Sequence, residues 1–459
     1  MTEQKEFKEQ GGIATMDPSR LRRWVISKLM TRLGDESIML KKRAKAEKVR
    51  KKNSAPHVIE YFHQVDDGYS HLAAQSLAKL STRYDIELHC HLVTGPQGHN
   101  VAEPELLNNI GLVDAKAIAP YHSLDFPDTD SLPSAGAVQL AQQIITSATN
   151  ERRVSLLAEV SSAVWRKDET ELSRLAEEHG SAKQSEAEQL IRDSNERRAE
   201  LKHYSGAMFY YASEWYWGVD RLYHLEERLR ALGAEKTPEK QNLFPRKSID
   251  ISCVNDPQSL TLEIYASLRS PYTAIAFDRA VKLAKDAGIQ YQIRPVLPMV
   301  MRGVPATKEK GFYIMFDTAR EARAANVPYG SISDPIGEPA RNGYKLYFWA
   351  EQFNKGTELF SNFLKAAFAE GVNTNKPSGL QYVVEKTGLN WDEARQQLTS
   401  DNWQAKLENN RLTMYDSGIW GVPSFRLLNS EGKELLATWG QDRLWLIANE
   451  IKKHLGVPQ

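Results

Sequence analysis

The chain has 459 residues, more than one ordinary hydrophobic core accommodates, so two or three domains are expected. A hydrophobic content of 41% with 26% charged residues is that of a folded globular protein and excludes general disorder. Lys plus Arg and Asp plus Glu both number 59, so no global field favours nucleic acid or an anionic membrane, and partners must be argued from local features.

The first twenty residues, "MTEQKEFKEQGGIATMDPSR", carry no apolar signal core, and nowhere do 18 apolar residues run together. Neither secretion nor a membrane span is expected, and a cytoplasmic location follows. Residues 1–55 read as a basic polar extension ending in "KKRAKAEKVRKK". This run could touch phosphate or lipid, but it lacks the interleaved aromatics of a nucleic-acid groove and reads better as a solvated helix face or arm. No nucleic-acid partner is expected.

Residues 56–233 open on "VIEYFHQVDDGYSHLAAQSLAKLSTRYDIELHCHLV" (58–93), which lies without a gap over "TLEIYASLRSPYTAIAFDRAVKLAKDAGIQYQIRPV" (261–296). Glu60 falls on Glu263, Tyr69 on Tyr272, Lys79 on Lys282 and Ile86 on Ile289. Each copy reads strand, helix, strand. A second echo sets "WGVDRLYHLEERLRALG" (217–233) against "WGQDRLWLIANEIKKHLG" (439–456), so the chain reads as a tandem duplication. Between the echoes, about 100–203 and about 300–414, each half shows the i, i+3, i+4 apolar spacing of helices. Residues 234–248, polar and proline-bearing, read as a linker, and 249–459 as the second domain.

Several clusters are candidates for chemistry. His89 and His91 share one face of a strand with His63 nearby, but no carboxylate is spaced to complete a metal set, and no metal is expected. "MFYYASEWYWG" (208–218) reads as core, or as an aromatic binding wall. Cys90 and Cys253 form no CxxC, which removes a dithiol centre and a cysteine zinc site. They read as inert packing residues with no disulfide. Asp220 and Asp442, in the WGxDRL echo, read as helix N-caps.

The second half resembles the DsbA-like thioredoxin superfamily, in the branch of kappa-class glutathione transferases and 2-hydroxychromene-2-carboxylate isomerase. The resemblance rests on "SPY" after the first strand, "RPVL" at the end of the second, "KGFY" (310–313), "GIWGVPSF" (418–425) and "WGQDRL" (439–444), spanning about 261–456 in the family's order. It implies an α/β protein of two tandem thioredoxin-like, DsbA-like domains, each with a helical insertion. It also implies that glutathione is a co-substrate whose thiolate is supported by Ser270. Lys310, the backbone of Val422 before Pro423, and the Gln441–Asp442 pair would hold the tripeptide; the family usually has Ser-Asp where Gln441 and Asp442 stand. In this superfamily the bond before Pro423 is cis.

The residues support that site on their own terms. A helix N-terminus stabilises an anion, and a serine hydroxyl can add one charge-assisted hydrogen bond, roughly enough to lower a bound thiol by one to two pKa units. Ser270 with Pro271 is equally an ordinary N-cap followed by an N1 proline. The first copy has Asp67 and Gly68 at these positions, and "GAMF" (206–209) where the second has "GVPSF". Its site therefore reads as degenerate, the first copy serving as a built-in partner in a pseudo-dimer. Two functions follow: a glutathione-dependent isomerase or transferase acting on a small electrophilic substrate, or a non-catalytic thioredoxin-fold module binding a peptide or protein at the Val422 edge. The missing CxxC disfavours a disulfide oxidoreductase.

Overall fold

A computed structural model describes residues 17–101, 103–237, 241–251, 259–304, 306–401 and 403–457. The protein is mixed α/β and divides into two compact units, Met39–Lys247 and a second made of Met1–Ile38 with Ser248–Gln459.

In the unit Met39–Lys247, strands β1 (Val58–His63), β2 (Glu87–Leu92), β3 (Met208–Tyr211) and β4 (Glu214–Trp217) form one sheet in the order β2-β1-β3-β4. β1 runs parallel to β2 and antiparallel to β3, and β3–β4 is a hairpin. In the second unit β5 (Thr261–Ala266), β6 (Gln290–Pro295), β7 (Ser424–Leu428) and β8 (Glu434–Trp439) repeat that plan as β6-β5-β7-β8. The central strands β1 and β5 are almost wholly buried, as the near-continuous apolar runs require.

The chain enters on α1 (Arg20–Gly34) and α2 (Glu36–Lys52). Between β1 and β2 lie α3 (Gly68–Ala74) and α4 (Leu77–Arg83). The insertion after β2 holds α5 (Pro104–Ile118), α6 (Ala135–Ser147), α7 (Asn150–Arg166), α8 (Glu169–His179) and α9 (Gln184–Glu200), and α10 (Leu222–Ala231) closes the unit. Where the first unit has α3 and α4, the second has one helix, α11 (Pro271–Ala287). The single helix expected in both copies is interrupted in the first because the Ser76 hydroxyl donates to the Ala73 carbonyl at 2.6 Å, drawing the backbone out of helical pairing. The second insertion holds α12 (Lys308–Ala324), α13 (Glu338–Ala350), α14 (Gly356–Phe368), α15 (Pro377–Lys386), α16 (Trp391–Ala394) and α17 (Trp403–Asp416), and α18 (Leu444–His454) follows β8. Leu262 and Ile264 of β5, Phe277 of α11 and Phe360 and Phe363 of α14 lie in one buried cluster.

Two expectations about boundaries are corrected. Residues 17–34, read as part of a polar extension, dock on the second unit: the buried Arg23 guanidinium donates to the carbonyls of Asp334 and Ile336, and Met30 and Leu33 pack on the core. The stretch read as a linker is anchored to the first unit. Glu226, fully buried, accepts from the amides of Leu243 and Phe244 and from Tyr84, while Glu235 pairs with Arg83. Among the described residues no helix is long and apolar enough to cross a membrane.

Candidate functional site

The β5–α11 turn positions Ser270. Pro271 occupies the first helical position, where no amide proton is needed, and Ser270 is the N-cap, its Oγ accepting from the Thr273 amide at 3.2 Å. The same hydroxyl donates to the carbonyl of Val422 at 3.2 Å. Val422 precedes Pro423 in the loop entering β7, and the Val422–Pro423 peptide is cis. The fold thus joins Ser270 and Val422 across 152 positions of sequence.

That loop is held closely. A Cβ on Gly421 would lie 2.4 Å from Nε1 of Trp439, so only glycine permits the approach. The Ser424 hydroxyl returns to the Gly421 carbonyl at 2.6 Å, and the Gly440 amide donates to Pro423 O at 2.9 Å. Trp420, one residue earlier, is buried, and Lys310 sets its ammonium 5.8 Å from the Trp420 ring centroid. Lys310 lies in the first turn of α12, is half-buried, and makes no ion pair among the described residues. Burial lowers its pKa below the ordinary lysine value. The 419–423 loop therefore collects Ser270 on one side and Lys310 on another.

Beneath the turn, Tyr272 donates to Asp317 of α12 at 2.7 Å, and Asp317 is paired with Arg320. Arg269, preceding Ser270, forms two hydrogen bonds with the buried Asp334. The Tyr344 hydroxyl donates to Val296 O and accepts from the Leu268 amide, which fixes the end of β5. Asp317, Asp334 and Tyr344 escaped the sequence reading, although one signal was available: in the first unit Tyr69, aligned with Tyr272, bonds Asp114 at 2.8 Å, and Asp114 and Asp317 each follow the aligned tyrosine by the same number of residues.

The Gln441–Asp442 pair divides. Gln441 is buried, its amide nitrogen donating to Glu321 at 3.0 Å and its oxygen accepting from Arg279 at 3.0 Å. Its side chain ties the turn before α18 to α11 and α12 and has no donor or acceptor atom left idle for a ligand. Asp442 is partly exposed beside it. Neither Asp220 nor Asp442 is an N-cap: both sit inside short 3-10 turns that begin after Gly218 and Gly440 and run into α10 and α18.

The first unit arranges the corresponding turn differently. Asp67 caps α3, accepting from the Tyr69 and Ser70 amides and, at 2.7 Å, from the Ser70 hydroxyl. Ser70 Oγ in turn accepts from the Ala207 amide at 2.9 Å, so the edge entering β3 is bonded internally. Burial raises the Asp67 carboxyl to about 6. His91 bonds Glu60 at 3.1 Å and stacks on Phe62, whereas His63 falls on the opposite face of the sheet, because Phe62 and not His63 is the register partner of His91. The three histidines do not converge, and among the described residues no group of three ligand side chains is assembled. "MFYYASEWYWG" forms the β3–β4 hairpin, with Phe209 and Tyr216 buried. Cys90 is a buried free thiol raised to about 12 by that burial; Cys253 lies outside the described residues.

Set against known proteins, residues 261–452 match the DSBA-like thioredoxin domain. Among solved structures the chain is similar to a 2-hydroxychromene-2-carboxylate isomerase, at 18% identity over 43% of this chain and 100% of that one, with a TM-score of 0.37. It is also similar to the cytosolic disulfide reductase DsbM from Pseudomonas aeruginosa, at 17% identity over 43% of this chain and 97% of that one, TM-score 0.34. DsbA from Xylella fastidiosa aligns at 11% identity over 44% of this chain and 89% of that one, TM-score 0.27. No curated protein matches the chain.

Proposed function

We propose that the second unit is a glutathione-dependent isomerase or transferase for a small electrophilic substrate, in a chain of two thioredoxin-like domains of which only the second retains the site. The observation that carries this reading is the Ser270–Val422 hydrogen bond: a hydroxyl at the N-terminus of a 17-residue helix lies against the backbone edge that would pair with a peptide-like thiol. On arrival of the thiol, the Ser270 proton turns from Val422 O to sulfur. Hydroxyl and helix dipole then share in stabilising the thiolate while the thiol proton passes to solvent. Lys310, with no carboxylate to neutralise it among the described residues, serves an anionic group of the ligand, and the edge of Val422 orients the tripeptide. Gln441 supports the site only as a structural tie.

In the reaction the thiolate lone pair forms a C–S bond to the electrophilic carbon, and the displaced π pair moves onto the conjugated acceptor. For an isomerase, rotation about the new single bond and elimination restore the double bond and the thiolate, with no net oxidation. For a transferase, the C–S bond persists, the acceptor anion takes a proton from solvent in place of the one the thiol released, and the adduct departs. A second reading keeps its place because Ser270 is already fully used as a cap: the unit would be a binding module engaging a peptide at the same edge. Thermal-shift titration with glutathione, S-methylglutathione and an unrelated tripeptide separates the two, since ligands of the folded state raise its stability. Stabilisation that requires the free thiol supports catalysis; equal stabilisation by all three supports the binding module.

A further inference from the structure

The two residues before Ser270 are held from outside the β5–α11 turn. The Leu268 amide donates to the Tyr344 hydroxyl of α13 at 3.2 Å, and the Arg269 guanidinium donates to both carboxylate oxygens of Asp334 at 2.8 and 2.9 Å. Both partners are in turn set by the arm 17–34. On one route α1 grips the loop of Asp334: Arg23 donates to the carbonyls of Asp334 and Ile336, while Ser27 and Thr31 accept from the Asp334 and Ile332 amides, each at 3.0 Å. On the other, Asp17 caps α13, whose own N-cap residue is the side-chainless Gly337; it accepts from the Glu338 amide and, at 2.8 Å, from Arg341. A Cβ on Gly337, where φ is +82°, would lie 1.9 Å from Asp17 Oδ1, so this contact requires glycine. Tyr344 stands on the helix that Asp17 caps.

We propose that the N-terminal arm is a working part of the Ser270 site, with Arg23 and Asp17 as its positioning residues. The inference rests on the site proposed above, although the coupling itself needs no ligand. An N-cap side chain draws on the helix dipole and the free amides only within the first turn, so a small tilt of residues 268–270 removes much of the effect. The route from the arm is stiff because it is buried. Arg23 is 4% exposed and Asp334 2%, and among the described residues Arg23 finds its acceptors only in that loop and in Asp17, so helix and loop move together. The first unit supplies the contrast. Asp66 stands where the second unit has Arg269, and it bonds the Gln64 amide of its own turn at 3.0 Å, a carboxylate being unable to pair as Arg269 does with Asp334. The arm also lies outside residues 261–452, so this support comes from beyond the matched thioredoxin domain.

The test uses Ser270→Cys in the full chain as a reporter that needs no glutathione: the pH midpoint of iodoacetamide alkylation reads the thiol's ionisation. Adding Arg23→Met should raise that midpoint by about one pH unit and so slow alkylation about tenfold below it, since only the thiolate reacts. Asp17→Ala should raise it by a smaller step. Arg23→Lys and Asp17→Asn, which keep a donor and an acceptor, should recover most of the reporter's original midpoint. Lys452→Met breaks the ion pair with Asp250 in the same unit and controls for lost stability alone: the melting temperature should fall and the midpoint stay in place. With Ser270 intact, Arg23→Met should lower the thiol-dependent kcat about tenfold, while KM, which Lys310 governs, changes little. A chain without thiol-dependent turnover would remove the glutathione reading and leave the reporter result standing. Should Arg23→Met not fold, Asp17→Ala, at a side chain 43% exposed, decides by the same midpoint. The coupling is overturned by a midpoint that the arm substitutions leave unchanged or lower, or by an equal rise in Lys452→Met.

Discussion

The Ser270 hydroxyl donates to the Val422 carbonyl at 3.2 Å while accepting from the Thr273 amide, so one side chain links the start of α11 to the loop before β7. Ser270→Ala removes both bonds and leaves Pro271 and the helix dipole in place. Stability should fall by about 1–2 kcal/mol, the usual cost of a lost N-cap with one further partner. The thiol-dependent rate should fall further, by about 10–100-fold, equivalent to about 1.4–2.8 kcal/mol in the transition state. Calorimetry with steady-state kinetics checks both. A variant that loses only stability would leave Ser270 as a cap. Ser270→Cys should yield a thiol that iodoacetamide modifies at neutral pH, since the helix terminus lowers its pKa.

Glutathione should bind once per chain. In the first unit the Ala207 amide is taken by Ser70, and Ser70 by Asp67, whose charge when ionised opposes a thiolate. Isothermal titration should give a stoichiometry near one, lost in the Ser270→Ala, Lys310→Met double variant. Two equivalent sites would contradict the assignment.

Much of this arrangement was legible in the sequence where local chemistry and repetition coincide. The ungapped repeat is matched by two sheets of one order, with Tyr69–Asp114 answered by Tyr272–Asp317 and Glu60–His91 by Glu263–Arg294. Ser270 as N-cap was legible because capping is decided within four residues. Long-range pairings were not: Arg279, Glu321 and Gln441 come from three elements, and no spacing announces that they meet. Nor does a polar composition reveal that Arg23 is buried against two carbonyls, because a guanidinium is absorbed wherever backbone acceptors gather.

Lys310 should carry affinity more than turnover. Lys310→Met is expected to raise KM for the thiol about tenfold with a smaller change in kcat, and Lys310→Arg should restore most of the loss. Because burial lowers the Lys310 pKa and no carboxylate offsets it, its charge weakens the fold below the unfolded pKa. Lys310→Met should therefore leave stability unchanged or raise it at neutral pH. Affinity for the thiol should also fall as pH rises through a value below the ordinary lysine range. Measuring KM against pH in wild type and Lys310→Arg checks the assignment: the arginine variant should lose that dependence.

Asp67 gives the first unit a distinct pH signature. Its folded pKa is about 6 and its ordinary value 3.8, so between these the native state holds the proton more firmly than the unfolded chain. Stability contributed by the protonated carboxyl is complete below about pH 4 and is lost as pH rises toward 6. Partial exposure of the residue reduces the full shift to an expected loss of about 1–2 kcal/mol. Glu60, held near 2 by His91 and Arg197 against the cost of burial, acts in the opposite sense over a lower window: its contribution is present above 4.5 and disappears as pH falls toward 2. The two windows separate experimentally. Asp67→Asn keeps an acceptor for the Ser70 amide and removes the titrating group, so urea unfolding should show a free energy for wild type that declines between pH 4 and 6 while the variant stays level. At pH 7 the variant should be the more stable of the two. A variant that declines in parallel with wild type would place the titration elsewhere, and with it the buried charge that closes the first unit to a thiolate.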